Sequence, residues 1–166
     1  VLIVDLDPQA NATSGIGIDH RQIERGVYEA VLGQASFKEI AQPTAHVGLR
    51  IAPSTNALAG LNVELVGMEQ REFKLRDALR EIRNDYDFIL IDCPPTLGLI
   101  TLNGLVAGDE ILIPVQAEYY ALEGLGQLLE TVQLVQDRLR PEVDILGAVI
   151  TMYDGRTKLS DDVLQE

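Results

Sequence analysis

The sequence predicts an α/β fold, a mostly parallel sheet with helices on both faces. Three observations carry that prediction. Short apolar runs, Val1-Leu2-Ile3-Val4, Phe88-Ile89-Leu90-Ile91 and Ile111-Leu112-Ile113, meet turn chemistry, as strands buried on both faces do. Stretches of helical period separate these runs, the alternation that builds parallel strands. Two of the runs end in acids, Asp5 and Asp7 on the first and Asp92 on the second, and ligands of parallel sheets lie beyond the carboxyl ends of the strands.

In chain order, Asp5 and Asp7 at the tip of the first strand are two residues apart, so their side chains share one side. Carboxylates so placed repel each other and point to a cation or a phosphate-bound metal nearby. Ser14–Asp19 reads as a glycine-rich connection, and 22–32 as a helix ending at Gly33. Ser36 followed by Glu39 is a capping-box pattern for a short helix over 36–41, with Pro43 beyond it. Leu49–Ala52 reads as a short strand, and Ser54-Thr55-Asn56 as the cap of a helix from 57 to about 65. The clearest helical period runs over 68–84, where Leu75, Ala78, Leu79 and Ile82 form one apolar stripe. Its charged residues, Arg71, Lys74, Arg76, Arg80 and Arg83 among acids, read as a solvated face. Then follow a strand over 88–91, a helix over 97–107, a strand over 110–115, a helix from about 121 to 139, a strand over 144–150 and a loop over 151–157.

Composition bounds the function. A length of 166 residues with 46% hydrophobic content suits one domain with a real core. No run approaches the roughly 18–20 apolar residues of a membrane span, and the opening residues lack the basic stretch of a secretory signal. The single cysteine, Cys93, excludes an internal disulfide and fits a reducing compartment; beside Asp92 it reads as a small buried residue. His20 and His46 lack zinc-ligand spacing. A net charge of −13 argues against a surface that is basic all over, while leaving room for a local basic patch. The opening inside a strand without an initiator Met, and the end at Glu166 within a helical pattern, are expected of the middle of a longer protein, so that 1–166 would be a single partial domain.

An apolar strand ending in Asp, as Ile89-Leu90-Ile91-Asp92 does, is the Walker B pattern, although a carboxylate capping the next helix is at least as common. With Asp5-Leu6-Asp7-Pro8-Gln9-Ala10-Asn11-Ala12-Thr13-Ser14-Gly15 and Asp92-Cys93-Pro94-Pro95-Thr96-Leu97-Gly98 together, the chain resembles the ParA/Soj-type partition ATPases of the deviant Walker A class. Pro114–Gly124 and Thr151–Thr157 are similar to two further segments of that family, and the likeness covers nearly the whole chain. The resemblance implies a P-loop NTPase-like fold, yet the family's lysine-bearing phosphate loop is not within these residues and is expected upstream of Val1.

By position, the resemblance implies that Asp7 orients the attacking water, that Asp5 lies near a magnesium ion through water or a hydroxyl, and that Asp92 lies in the outer shell of that metal. Orientation is the safer reading of Asp7, since a carboxylate of ordinary pKa near 4 is a weak base. Pro114, Thr151 and Met152 are implied at the nucleotide, with core packing an even alternative for Met152, and packing is the reading for Tyr119 and Tyr120. Arg156 is implied in sequence-independent DNA contact, against a solvent-exposed pairing with Asp154. The implied activity is an ATP- and Mg2+-dependent switch in chromosome or plasmid segregation. ATP would join two subunits into a homodimer that binds non-specific DNA, and a ParB/Spo0J-like activating protein would stimulate hydrolysis. The implied place is the cytoplasm, on the nucleoid, with no membrane expected. A MinD-like membrane-cycling ATPase, an amide-forming or electron-transfer enzyme on the same fold, and an inactive fragment are the competing readings.

Overall fold

Strand β1 (Leu2–Asp5) is the centre around which the first part of the chain folds, with a parallel neighbour on each side. A computed structural model describes residues 1–117, 119–153 and 156, with backbone alone at 119–123. The chain divides into two compact units, Val1–Ala107 and Gly108 onward.

In the first unit, β3 (Arg50–Ala52) flanks β1 with Leu2 opposite Arg50, and β4 (Ile89–Asp92) flanks the other side with Asp5 opposite Asp92. A two-residue strand β2 (Gln42–Pro43) adds antiparallel to β3, giving the order β2-β3-β1-β4. The Pro43 expected only to stop a helix is therefore also an edge-strand residue, where its missing N–H is tolerated.

Helices α1 (Asn11–Gly15), α2 (Val27–Val31), α3 (Phe37–Ile40), α4 (Leu61–Glu64), α5 (Lys74–Leu79) and α6 (Leu99–Ala107) fill the connections. The expected capping box is made: the Glu39 amide donates to Ser36 Oγ at 3.2 Å, and the Ser36 amide donates to Glu39 Oε2 at 2.7 Å. The expected stripe is buried as well, with Leu75, Leu79 and Ile82 in one core with Leu2, Val4, Leu6, Phe37 and Leu61.

Helix lengths depart from the periodic pattern. The helix expected over 22–32 is reduced to Val27–Val31 behind a single 3-10 turn at His20–Gln22. Gly26 presses against the exit of β3, where a Cβ would lie 2.4 Å from the Pro53 carbonyl, and the Val27 amide donates to that carbonyl at 2.9 Å. That tertiary contact holds residue 26 extended and breaks the run. The 68–84 helix shortens to Lys74–Leu79, continued by three-residue turns from Asp77 to Arg80 and from Leu79 to Ile82. Conversely, α1 takes over the first part of the expected glycine-rich connection.

The run Phe88–Ile91 is not buried on both faces: Ile89 and Ile91 are half-buried, whereas Phe88 and Leu90 are 66% and 55% exposed. A continuous apolar run anticipates cover on both faces, and the described residues of this unit cover only one.

In the second unit, β5 (Glu110–Gln116) pairs in parallel with β6 (Asp144–Thr151), connected through α7 (Tyr119–Arg138). Buried Arg140 fastens its base, donating to the Gly108 carbonyl and to Asp109 Oδ1. No helix among the described residues is long and apolar enough to cross a membrane.

Candidate functional site

The parallel pairing of β1 with β4 brings the expected acids to one edge. Asp5 and Asp92 are register partners, and Asp7 follows two residues beyond the tip of β1. Their surroundings differ sharply.

Asp5 is 0% exposed and holds the turn together. Its Oδ2 accepts from the Thr13 amide at 2.7 Å and from the Thr13 hydroxyl at 2.6 Å, and its Oδ1 accepts from the Asp7 amide at 3.2 Å. Charge-assisted bonds of this kind are about twice as strong as neutral ones, and they explain why a five-residue helix with no side-chain N-cap forms here. They also hold Ala10 in the left-handed region at φ 54°, a conformation that costs a non-glycine residue about 1–2 kcal/mol.

Asp7 is 8% exposed. Its Oδ1 accepts from the Gln9 amide at 3.0 Å, and its carbonyl accepts from the Ala10 amide at 2.9 Å. Its other carboxylate oxygen has no hydrogen-bond partner among the described residues. Asp92 is an exposed residue whose carbonyl accepts the Leu6 amide at 2.8 Å, while its carboxylate accepts no hydrogen bond among the described residues. Partial burial raises its pKa above the usual carboxylate range, helped by the charges of Asp5 and Asp7. No lysine or arginine pairs with any of these three acids among the described residues.

Cys93, next in sequence, is held inert: burial pushes its thiol up to about 12, with the Asp92 charge adding to the effect. Its Sγ packs against Gly104 of α6, where a Cβ would lie 2.4 Å away. Thr101 anchors the intervening turn, donating to the Thr96 carbonyl at 2.6 Å.

Sequence reasoning read Ser54 only as part of a helix cap and gave Thr13 no site role, yet both belong to this edge. The Ser54 amide, just beyond β3, donates to Thr13 Oγ1 at 3.1 Å, while the hydroxyls of Ser54 and Thr55 are buried without a partner among the described residues. The pairing spans 41 residues, so no local pattern could announce it.

In the second unit, Thr151 ends β6 opposite Gln116, and its hydroxyl donates to the Val115 carbonyl at 3.4 Å. Pro114 lies within β5, two residues before its end. The Ala117 amide donates to Thr151, so by alternation the amides of Val115 and Ile113 also face β6 and the proline nitrogen faces away. Met152 is 74% exposed with φ 55°, which disfavours the core-packing alternative. Arg156 is exposed. Its suggested partner Asp154, with Gly155, Thr157, Glu118 and the side chains of Tyr119 and Tyr120, lies outside the described residues.

Among the described residues no three His, Cys, Asp or Glu side chains are arranged to hold a metal ion unaided. A surface depression of about 420 Å³, lined by Val1, His46, Arg50 and Tyr86 among others, is at the amino ends of the strands, away from Asp5, Asp7 and Asp92.

Comparison with known proteins shows what this edge belongs to. Residues 1–145 match a family model described as an AAA domain. The chain is 49% identical, over 99% of its length, to the chromosome partitioning protein ParA of Myxococcus xanthus, of which it spans 58%. It is also 49% identical, over its whole length, to the sporulation initiation inhibitor protein Soj of Bacillus subtilis, of which it spans 66%. The chain belongs to the ParA/Soj family. Its fold is that of the P-loop NTPase-like members of the family. A cobyrinic acid a,c-diamide synthase from Mycobacterium smegmatis, solved with bound ADP and magnesium, superposes on 99% of the ParA/Soj chain with a TM-score of 0.94 and 40% identity; the chain covers 66% of that protein.

Proposed function

We propose that the full-length protein is an ATP-hydrolysing switch in chromosome or plasmid segregation, and that the tip of β1 carries the hydrolytic water. The observation that carries the reading is Asp7: one carboxylate oxygen is tied to the Gln9 amide, and the other is unengaged among the described residues at an edge shared with Asp5 and Asp92. A carboxylate fixed in that way suits the holding of a water in line with a phosphoryl group, where position and charge supply most of the catalysis.

The acids fit magnesium as an outer shell. They lie together with no paired cation among the described residues, and burial and repulsion penalise the Asp92 charge in the way that a nearby divalent ion would relieve. The described residues form no carboxylate cage, which suits an ion held mainly by nucleotide phosphates and water. Asp92, the open one, and Asp5, through water or a neighbouring hydroxyl, would face that shell. Bound magnesium supplies charge neutralisation at the transferred phosphoryl group. Thr151 at the end of β6 and Met152 just after it, with Pro114 on β5, would contact the nucleotide. The match of one family model to 1–145, across both compact units, supports a single nucleotide-binding domain. ATP-dependent homodimerisation, non-specific DNA contact through Arg156, stimulation by a ParB-like protein and a place in the cytoplasm on the nucleoid complete the reading; the name of the Myxococcus xanthus relative supports its chromosome-partitioning part.

Asp7→Ala in the full-length protein tests it. ATP-dependent dimerisation and DNA retention should persist, while turnover falls by about 100-fold or more. Loss of nucleotide binding together with turnover would make Asp7 a structural residue. A second reading, an amide-forming enzyme, is favoured by the name of the Mycobacterium smegmatis protein. It requires ATP consumption to depend on an amide nitrogen donor rather than on DNA and the ParB-like partner.

A further inference from the structure

We propose that Thr13 is the positioning residue of this site, a buried hydroxyl that ties three segments together and sets the place of Asp7. The inference rests on the ATPase reading and deepens it. Thr13 is 0% exposed, on α1, eight residues from the acid it serves. Its hydroxyl donates to Asp5 Oδ2 at 2.6 Å, and the same oxygen accepts the Ser54 amide at 3.1 Å. One hydroxyl thereby joins the tip of β1, helix α1 and the segment that leaves β3. From Asp5 the path reaches the proposed water-orienting group in one further bond, because Asp5 Oδ1 accepts the Asp7 amide at 3.2 Å. Asp7 in turn accepts the Gln9 amide on its carboxylate and the Ala10 amide on its carbonyl.

The chemistry calls for a residue that donates and accepts at one atom. The Thr13 hydroxyl does both: it donates to the acceptor-only Asp5 carboxylate and accepts from the donor-only Ser54 amide. Valine has nearly the same shape and neither capacity. It would leave a buried carboxylate short of one donor and a buried amide without an acceptor. The turn from Asp7 to Ala10 would then relax, all the more because Ala10 holds a left-handed conformation that only its surroundings enforce. Serine keeps the hydroxyl and loses only a methyl.

The test uses the full-length protein carrying Thr13→Val or Thr13→Ser, with two readouts. In steady-state hydrolysis of magnesium-ATP, Thr13→Val should lower kcat by about 10-fold or more with KM within about 3-fold, the split expected when alignment rather than binding is lost. Thr13→Ser should keep kcat within about 3-fold. In nucleotide-free amide exchange, the Gln9 and Ala10 amides should exchange faster in Thr13→Val than in wild type or Thr13→Ser. Equal exchange at these amides in all three proteins would overturn the proposal. So would a Thr13→Val kcat loss that disappears at a temperature where the variant is fully folded. Should Thr13→Val fail to fold, Thr13→Ser with unchanged exchange but a kcat reduced as much as Asp7→Ala would overturn it as well. Wild-type turnover by Asp7→Ala would instead refute the ATPase role of Asp7, while the exchange data would still decide whether Thr13 sets that turn.

Discussion

Asp5 and Asp92 occupy the same register position on neighbouring parallel strands, yet they are opposites. Asp5 is fully buried, and both of its oxygens accept hydrogen bonds that organise the next eight residues. The Asp92 carboxylate accepts none among the described residues, and the residue is exposed and penalised for its charge. The turn beyond β1 is held by hydrogen bonds to a carboxylate; at the tip of β4 the side-chain support is packing, with Cys93 wedged against Gly104, beside the backbone bond from the Leu6 amide to the Asp92 carbonyl. A strand ending in Asp therefore does not by itself mark a metal or catalytic acid. The hydrogen-bond inventory of the carboxylate separates the acid that builds the site from those left available to act in it.

The largest effect that would break the contrast is expected at Asp5. Asp5→Ala removes the acceptor for two backbone amides and one hydroxyl, and should cost about 3–5 kcal/mol in denaturant unfolding. A loss below about 1 kcal/mol would mean that the turn is held some other way. Next is Gly104→Ala, whose added Cβ would lie 2.4 Å from Cys93 Sγ. An overpacked contact of this kind costs about 1–3 kcal/mol, and a Tm equal to wild type would remove packing as the support of the β4 tip. The smallest is Asp92→Asn, in magnesium-free buffer. A carboxyl whose folded pKa is raised favours the fold when protonated, so stability falls as pH rises from the ordinary carboxylate range through the raised value. Asparagine should abolish that fall and stabilise the chain slightly at neutral pH, a small gain because the side chain is open to water. A steeper fall in the variant would reverse the sign assigned to Asp92.

The fold was legible wherever the signal was local. The capping box at Ser36 and Glu39 and the stripe of Leu75, Leu79 and Ile82 are written in short spacings and form as read. Helix lengths were not, because Gly26 is fixed by the Pro53 carbonyl and the Leu75 amide by Asn103 Oδ1, contacts that no window of sequence contains. The exposed Leu90 shows the converse limit: an apolar run records that a strand is to be covered, not by what. At the site, the gathering of Asp5, Asp7 and Asp92 followed from parallel pairing alone. The resemblance implied a division of labour among them, but the hydrogen-bond framework that sets Asp5 apart was not legible, since it depends on Thr13 and on Ser54, 41 residues away.

The most direct test of that division is Asp7→Asn in the full-length protein, followed by thermal unfolding and by single-turnover hydrolysis of magnesium-ATP on the same sample. Asparagine keeps an oxygen to accept the Gln9 amide and removes the negative charge beside the proposed water. The expected result is a Tm within about 2 °C of wild type, undiminished ATP binding and hydrolysis slowed by about 100-fold or more. Hydrolysis at the wild-type rate, or a Tm that falls as far as that of Asp5→Ala, would contradict it.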